Sequence, residues 1–155
     1  MSRAFTKDRD DGELFEELPD RSISPHPNLV TSGGLALIEA AVTRLQEEQA
    51  AARAAGDRAV LARIARELRY WTRRRASAQV VPAPSDRSHV QFGSTVTIVR
   101  PDGRRQTFRI VGEDEADPPR GTLSYVSPLA RTLIGKELGE VVVAGNSEAE
   151  IVEIA

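Results

Sequence analysis

The chain changes its hydrophobic period once, and that change divides what it can fold into. Up to residue 75 the apolar positions recur as heptads, with Ile38, Val42, Leu45 and Ala52 in one run and Leu61, Ile64, Leu68, Trp71 and Arg75 in the next. Such spacing lines side chains along one face of a helix. Between the runs stand Ala55, Gly56 and Asp57. Glycine ends one helix there and aspartate caps the next, while Thr31 or Ser32 caps the first. Residues 29–80 are therefore expected as an antiparallel helical hairpin. Its seam thins toward the turn, where Gln49, Ala52 and Gly56 stand in place of large side chains.

From Thr95 the period becomes two. Val96 and Ile98 alternate with Thr95 and Thr97, then Phe108 and Ile110 alternate with Thr107 and Arg109, across a turn at Pro101, Asp102 and Gly103. Residues 123–126, 140–143 and 150–154 complete about five strands. A short helix at 127–134 precedes the last two. Ser127 is its N-cap, Pro128 takes the first helical position, Leu129 and Leu133 share a face, and Gly135 ends it. The expected fold class is α+β: the hairpin, a Pro-rich linker at 81–88, and an antiparallel sheet domain over 89–155 carrying one short helix.

Composition removes several functions. The chain of 155 residues has no cysteine, which excludes disulfides and thiolate metal sites. The net charge of −2 gives no general basic surface for nucleic acid. That charge is unevenly placed: seven acidic and four basic residues in 1–29, five and nine in 30–79, eleven and eight in 80–155. Residues 1–28 offer only Leu14, Phe15 and Leu18 as an apolar patch and are expected to be a mobile acidic tail. With no apolar leader and no long apolar window, a soluble cytoplasmic protein is expected.

Chemistry-bearing residues are sparse. His26 and His89 are isolated, and Ser94 and Ser127 lack any triad context. Arg63, Arg66, Arg69, Arg73, Arg74 and Arg75 suit an anionic partner or a plain solvated helix face. Glu113, Asp114, Glu115 and Asp117 suit a contact loop or a solvated turn.

Two stretches are more specific: Phe-Arg-Ile-Val-Gly-Glu-Asp-Glu-Ala-Asp at 108–117 and Val-Ser-Pro-Leu-Ala-Arg-Thr-Leu-Ile-Gly-Lys-Glu-Leu-Gly-Glu-Val-Val, whose first residue is Val126. With Asn28-Leu-Val-Thr at the hairpin entry, Ala78-Gln-Val at its exit and Phe92-Gly-Ser-Thr-Val opening the sheet, they resemble the Gre transcription elongation factors (GreA/GreB) over roughly residues 28–155. The resemblance implies an FKBP-like C-terminal domain and a protein that is not an enzyme. It implies bacterial RNA polymerase as partner, entered through its secondary channel, with only indirect contact to the DNA or RNA of the transcription complex. By position, Glu113, Asp114, Glu115, Asp117, Ser127, Pro128 and Arg131 would contact the polymerase, and Gly56, Asp57 and Arg58 would form the hairpin tip.

The same resemblance exposes two departures. The family pattern places Glu three residues after the tip aspartate, so that two carboxylates help hold Mg²⁺. Here that position is Val60, leaving Asp57, beside Arg58, as the one candidate ligand. No cofactor is expected. Each hairpin arm also falls about eight or nine residues short of the family pattern, which at about 1.5 Å per residue withdraws the tip by roughly 12 Å. Weak or absent stimulation of transcript cleavage is the expectation, from a monomer. The alternatives are a regulator of another protein, such as nucleoside diphosphate kinase, as in short-hairpin relatives, and a peptidyl-prolyl isomerase-like domain. The latter is poorly served by Phe92, Phe108 and Tyr125, the only aromatics of its domain.

Overall fold

The computed structural model describes residues 18–155. Most of the expected acidic tail, including Leu14 and Phe15, lies outside the described residues. The rest divides into two compact units, residues 18–25 with Ile38–Ser77, and His26–Leu37 with Ala78–Ala155.

The first unit is built on the hairpin. Its helices are α1 (Ser32–Ala55) and α2 (Arg58–Ser77). Leu45, Ala52 and Ile64 form its buried seam, and Val60, Leu61, Leu68 and Trp71 pack against them half-buried. Small residues and half-covered side chains near the turn give a narrow seam, as the sequence pattern suggests. In the last turn of α2 the heptad fails: Arg74 is buried, whereas Arg75, the expected seam position, is exposed. Residues 18–21, read from sequence as part of a mobile tail, run against α2 and bond to its arginines.

The second unit contains the sheet domain and, unexpectedly, the base of the hairpin. Strand β1 (Leu29–Val30) pairs in parallel with β2 (Gln79–Val80). The Gln79 N–H donates to the Asn28 carbonyl at 2.8 Å and the Val81 N–H to the Val30 carbonyl at 2.9 Å. Two-residue strands leave no periodic trace in a sequence, so this pair could not be read there.

Five further strands form one sheet in the order β5-β4-β3-β7-β6. They are β3 (Thr95–Val99), β4 (Arg105–Val111), β5 (Thr122–Ser124), β6 (Val141–Ala144) and β7 (Ser147–Ile154). The antiparallel expectation needs one correction, because β4 and β5 pair in parallel, Ile110 opposite Leu123. A tight turn forces antiparallel neighbours. Residues 112–121, which include a 3₁₀ turn at Pro118–Arg120, form a connection long enough to cross over.

The short helix α3 (Pro128–Leu133) buries Ala130 and Leu133 completely against Val90, Val96, Ile98, Ile110 and Ile151. Full burial of a leucine such as Leu133 stabilises by about 2–3 kcal/mol. No helix among the described residues is long and apolar enough to cross a membrane.

Candidate functional site

The acidic loop begins where β4 leaves the sheet. Val111 and Gly112 are buried, and residues 113–117 are half-buried. Gly112 is required by close approach: a Cβ there would lie 2.4 Å from the Leu29 carbonyl oxygen and 3.5 Å from the Val30 Cα. The loop therefore leaves directly beside β1. Glu115 then reaches the start of α1, where the Thr31 hydroxyl lies 2.6 and 2.7 Å from its two carboxylate oxygens and donates its proton to them.

Thr31 also accepts the Gly34 N–H at 3.0 Å, which makes it the helix cap. The first turn of α1 has no acidic residue of its own. Glu115 supplies that negative charge from 84 residues away, next to the positive end of the helix dipole. The carboxylate fits because α1 opens on two glycines; a Cβ on Gly34 would stand 2.5 Å from Glu115 Oε2. The Tyr125 hydroxyl donates to the Pro27 carbonyl and holds the same entry segment. Tyr125 itself packs edge-on against Phe92, with ring centroids 5.7 Å apart.

Asp117 closes its own turn. Its N–H donates to Thr122 Oγ1 at 2.8 Å, its carbonyl accepts from the Arg120 N–H at 2.9 Å, and its carboxylate lies 3.4 Å from Arg120 Nε. Ser127 caps α3, accepting the Ala130 N–H at 3.4 Å, with Pro128 at the first helical position. Pro128 and Arg131 are exposed beside it. Of the seven expected contact residues, Glu115, Asp117 and Ser127 thus hold internal bonds, while Pro128 and Arg131 face solvent.

At the hairpin turn, Gly56 adopts φ +67° with nothing near the position a Cβ would take. The Asp57 N–H donates to the Ala52 carbonyl at 3.1 Å, and Asp57 Oδ1 accepts the Val60 N–H at 3.1 Å. Asp57 is the cap of α2. Gly56, Asp57 and Arg58 are all exposed. Among the described residues no group of three or more His, Asp or Glu side chains could hold a metal ion.

The family model "Transcription elongation factor, GreA/GreB, C-term" matches residues 84–155. Residues 84–155 are thus similar to the C-terminal domain of the Gre factors. The chain is 46% identical over 86 residues to the transcription elongation factor GreA of Alkalilimnicola ehrlichii, covering 51% of this chain and 54% of that one. It is 41% identical over 97 residues to GreB of Neisseria meningitidis serogroup B, covering 59% of this chain and 60% of that one. It thus spans a little over half the length of these curated relatives. A solved GreA/GreB structure from Nitrosomonas europaea covers 82% of this chain and 98% of its own at 18% identity, with a TM-score of 0.42.

The residues that sequence reasoning missed are Thr31 as an acceptor and donor at once, and Gly34 and Gly112 as the space it needs. A signal existed. Two adjacent glycines in the first turn of a long helix weaken that helix and call for a close neighbour.

Proposed function

We infer that this chain binds bacterial RNA polymerase, acts through its secondary channel to regulate elongation, and stimulates transcript cleavage weakly or not at all. It is a binding regulator and not an enzyme. The Gre-type domain over residues 84–155 supports the partner. On this reading Pro128 and Arg131, exposed on α3, make the polymerase contact together with the half-buried acidic loop residues Glu113, Asp114 and Asp117.

The tip carries the second half of the reading. Asp57 caps α2 through Oδ1, and the residue whose N–H it takes is Val60, where the family pattern expects glutamate. A single exposed carboxylate next to Arg58 is a poor ligand set for Mg²⁺, which needs several hard oxygen donors. A second metal delivered to the catalytic centre is what would activate water for cleavage. Occupying the channel without that metal leaves inhibition of nucleotide entry, or competition with factors that carry the complete acidic pair.

The test pairs binding to core polymerase with cleavage on backtracked elongation complexes. Binding at micromolar concentration or tighter, with cleavage at the level of polymerase alone, supports the reading. Loss of binding on Arg131→Glu would place the contact on α3. Val60→Glu should leave cleavage low, since the arms remain short; restored cleavage would show that arm length does not matter. No binding at low salt would overturn the inference.

A further inference from the structure

Three arginines of α2 are bonded by a segment of their own chain. Arg66 Nε donates to the Pro19 carbonyl at 2.8 Å, and Arg69 Nη2 donates to the Leu18 carbonyl at 3.3 Å. Arg69 Nε holds Asp20 Oδ1 at 2.5 Å, and Arg73 lies 3.9 Å from the other oxygen. Positions 66, 69 and 73 fall on one helix face, so their forks form a row. What fills the row is a run of oxygen acceptors, the Leu18 and Pro19 carbonyls and the Asp20 carboxylate. Arg21 locks the segment down at its far end, 2.7 Å from Glu67 and 3.8 Å above the Tyr70 ring.

We propose that this arginine row is a surface for a nucleic-acid phosphate backbone, kept covered in cis by residues 18–21, so that the strap and the nucleic acid compete for the same donors. Planar guanidinium forks match phosphate oxygens as they match these carbonyl and carboxylate oxygens. The sequence continues the mimicry, with six acidic residues between Asp8 and Glu17 directly preceding the strap.

Magnitude decides between a permanent clamp and a displaceable cover. The side chains of Asp20, Arg69 and Arg73 remain 46%, 43% and 63% exposed. Ion pairs so exposed each contribute little and weaken further in salt. A polyanion that engages several arginines at once releases counterions and outcompetes one carboxylate. The proposal does not depend on the polymerase reading, because its binding is measured without polymerase.

The test uses the full chain and a labelled single-stranded oligouridylate of about 20 nucleotides, at low salt. Asp20→Asn should tighten binding by roughly three- to tenfold and steepen the salt dependence by about one counterion. Asp102→Asn makes the same charge change in the turn between β3 and β4 and should shift affinity less than twofold. Arg66→Gln with Arg69→Gln should abolish the gain in the Asp20→Asn background. The only tryptophan, Trp71, meets the Tyr70 ring edge-on with centroids 5.1 Å apart, beneath Arg21. Oligouridylate should therefore move wild-type emission in the direction that Asp20→Asn moves it alone. Equal effects of the two Asp→Asn variants, no tightening by Asp20→Asn, or no binding by either protein would overturn the proposal.

Discussion

The two long helices start in opposite ways. At α1 the cap is Thr31, only 3% exposed, backed by a carboxylate from 84 residues away and flanked by glycines that admit it. At α2 the cap is Asp57, exposed, local, and preceded by a glycine with nothing around it. The first start is fixed by long-range packing and belongs to the sheet-bearing unit; the second is fixed by its own turn. Substitutions at the base should therefore disturb more than one element, and those at the tip only the first turn of α2.

Gly112→Ala should have the largest effect. Its Cβ would press on the Leu29 carbonyl, and a backbone oxygen cannot rotate away as a side chain can. Overpacking of this kind costs about 2–3 kcal/mol. Gly56→Ala, strained by its positive φ but surrounded by open space, should cost about 1 kcal/mol. Denaturant unfolding of the two variants compares base and tip directly. Equal losses would break the comparison.

A double-mutant cycle sharpens it. Gly34→Ala gains helix propensity, worth about 1 kcal/mol, but its Cβ displaces the Glu115 carboxylate from Thr31. In the wild type these oppose, and the net change should be neutral or destabilising. In the Glu115→Ala background the obstacle is gone, and the same substitution should stabilise by about 1 kcal/mol. A coupling near zero would mean that the clasp at the base contributes nothing.

What could be read in the sequence follows the same division. The hairpin, its turn and the capped α3 were legible because their determinants lie within a few residues: heptads, Gly56 with Asp57, Ser127 with Pro128. The parallel pairing of β1 with β2, and of β4 with β5, joins segments without a shared local pattern, and the latter was read with the wrong sense. The acidic loop was legible as a special feature but not as a clasp, since nothing near Glu115 in sequence points to Thr31. Charge likewise marked residues 1–29 as acidic and 30–79 as basic without showing that Asp20 meets Arg69.

Asp57→Ala tests the tip alone. An exposed N-cap of this type is worth about 0.5–1 kcal/mol, and the loss should be confined to the first turn of α2, seen as faster amide exchange near Val60. Because the reading gives Asp57 a cap and no metal, cleavage by polymerase should not fall. A drop in cleavage with stability unchanged would return the residue to metal duty.

The smallest effect belongs to an exposed carboxylate, that of Asp20. The hydrogen bond from Arg69, with further help from the charges of Arg69, Arg73 and Arg66, holds the Asp20 carboxyl below the usual aspartate range. A depressed value means that its stabilisation is fully present above the unfolded value, about pH 4, and is lost as pH falls through the lower folded value. The wild type should melt slightly above Asp20→Asn at neutral pH, and the gap should close as pH falls through the lowered folded value. It should also shrink as ionic strength rises past physiological, since a pair this exposed is screened. The Thr31–Glu115 clasp is half-buried and should keep its contribution in the same salt titration. If the Asp20 gap survives both acid and salt, the strap is held by packing rather than charge, and the contrast between an exposed and an enclosed carboxylate fails.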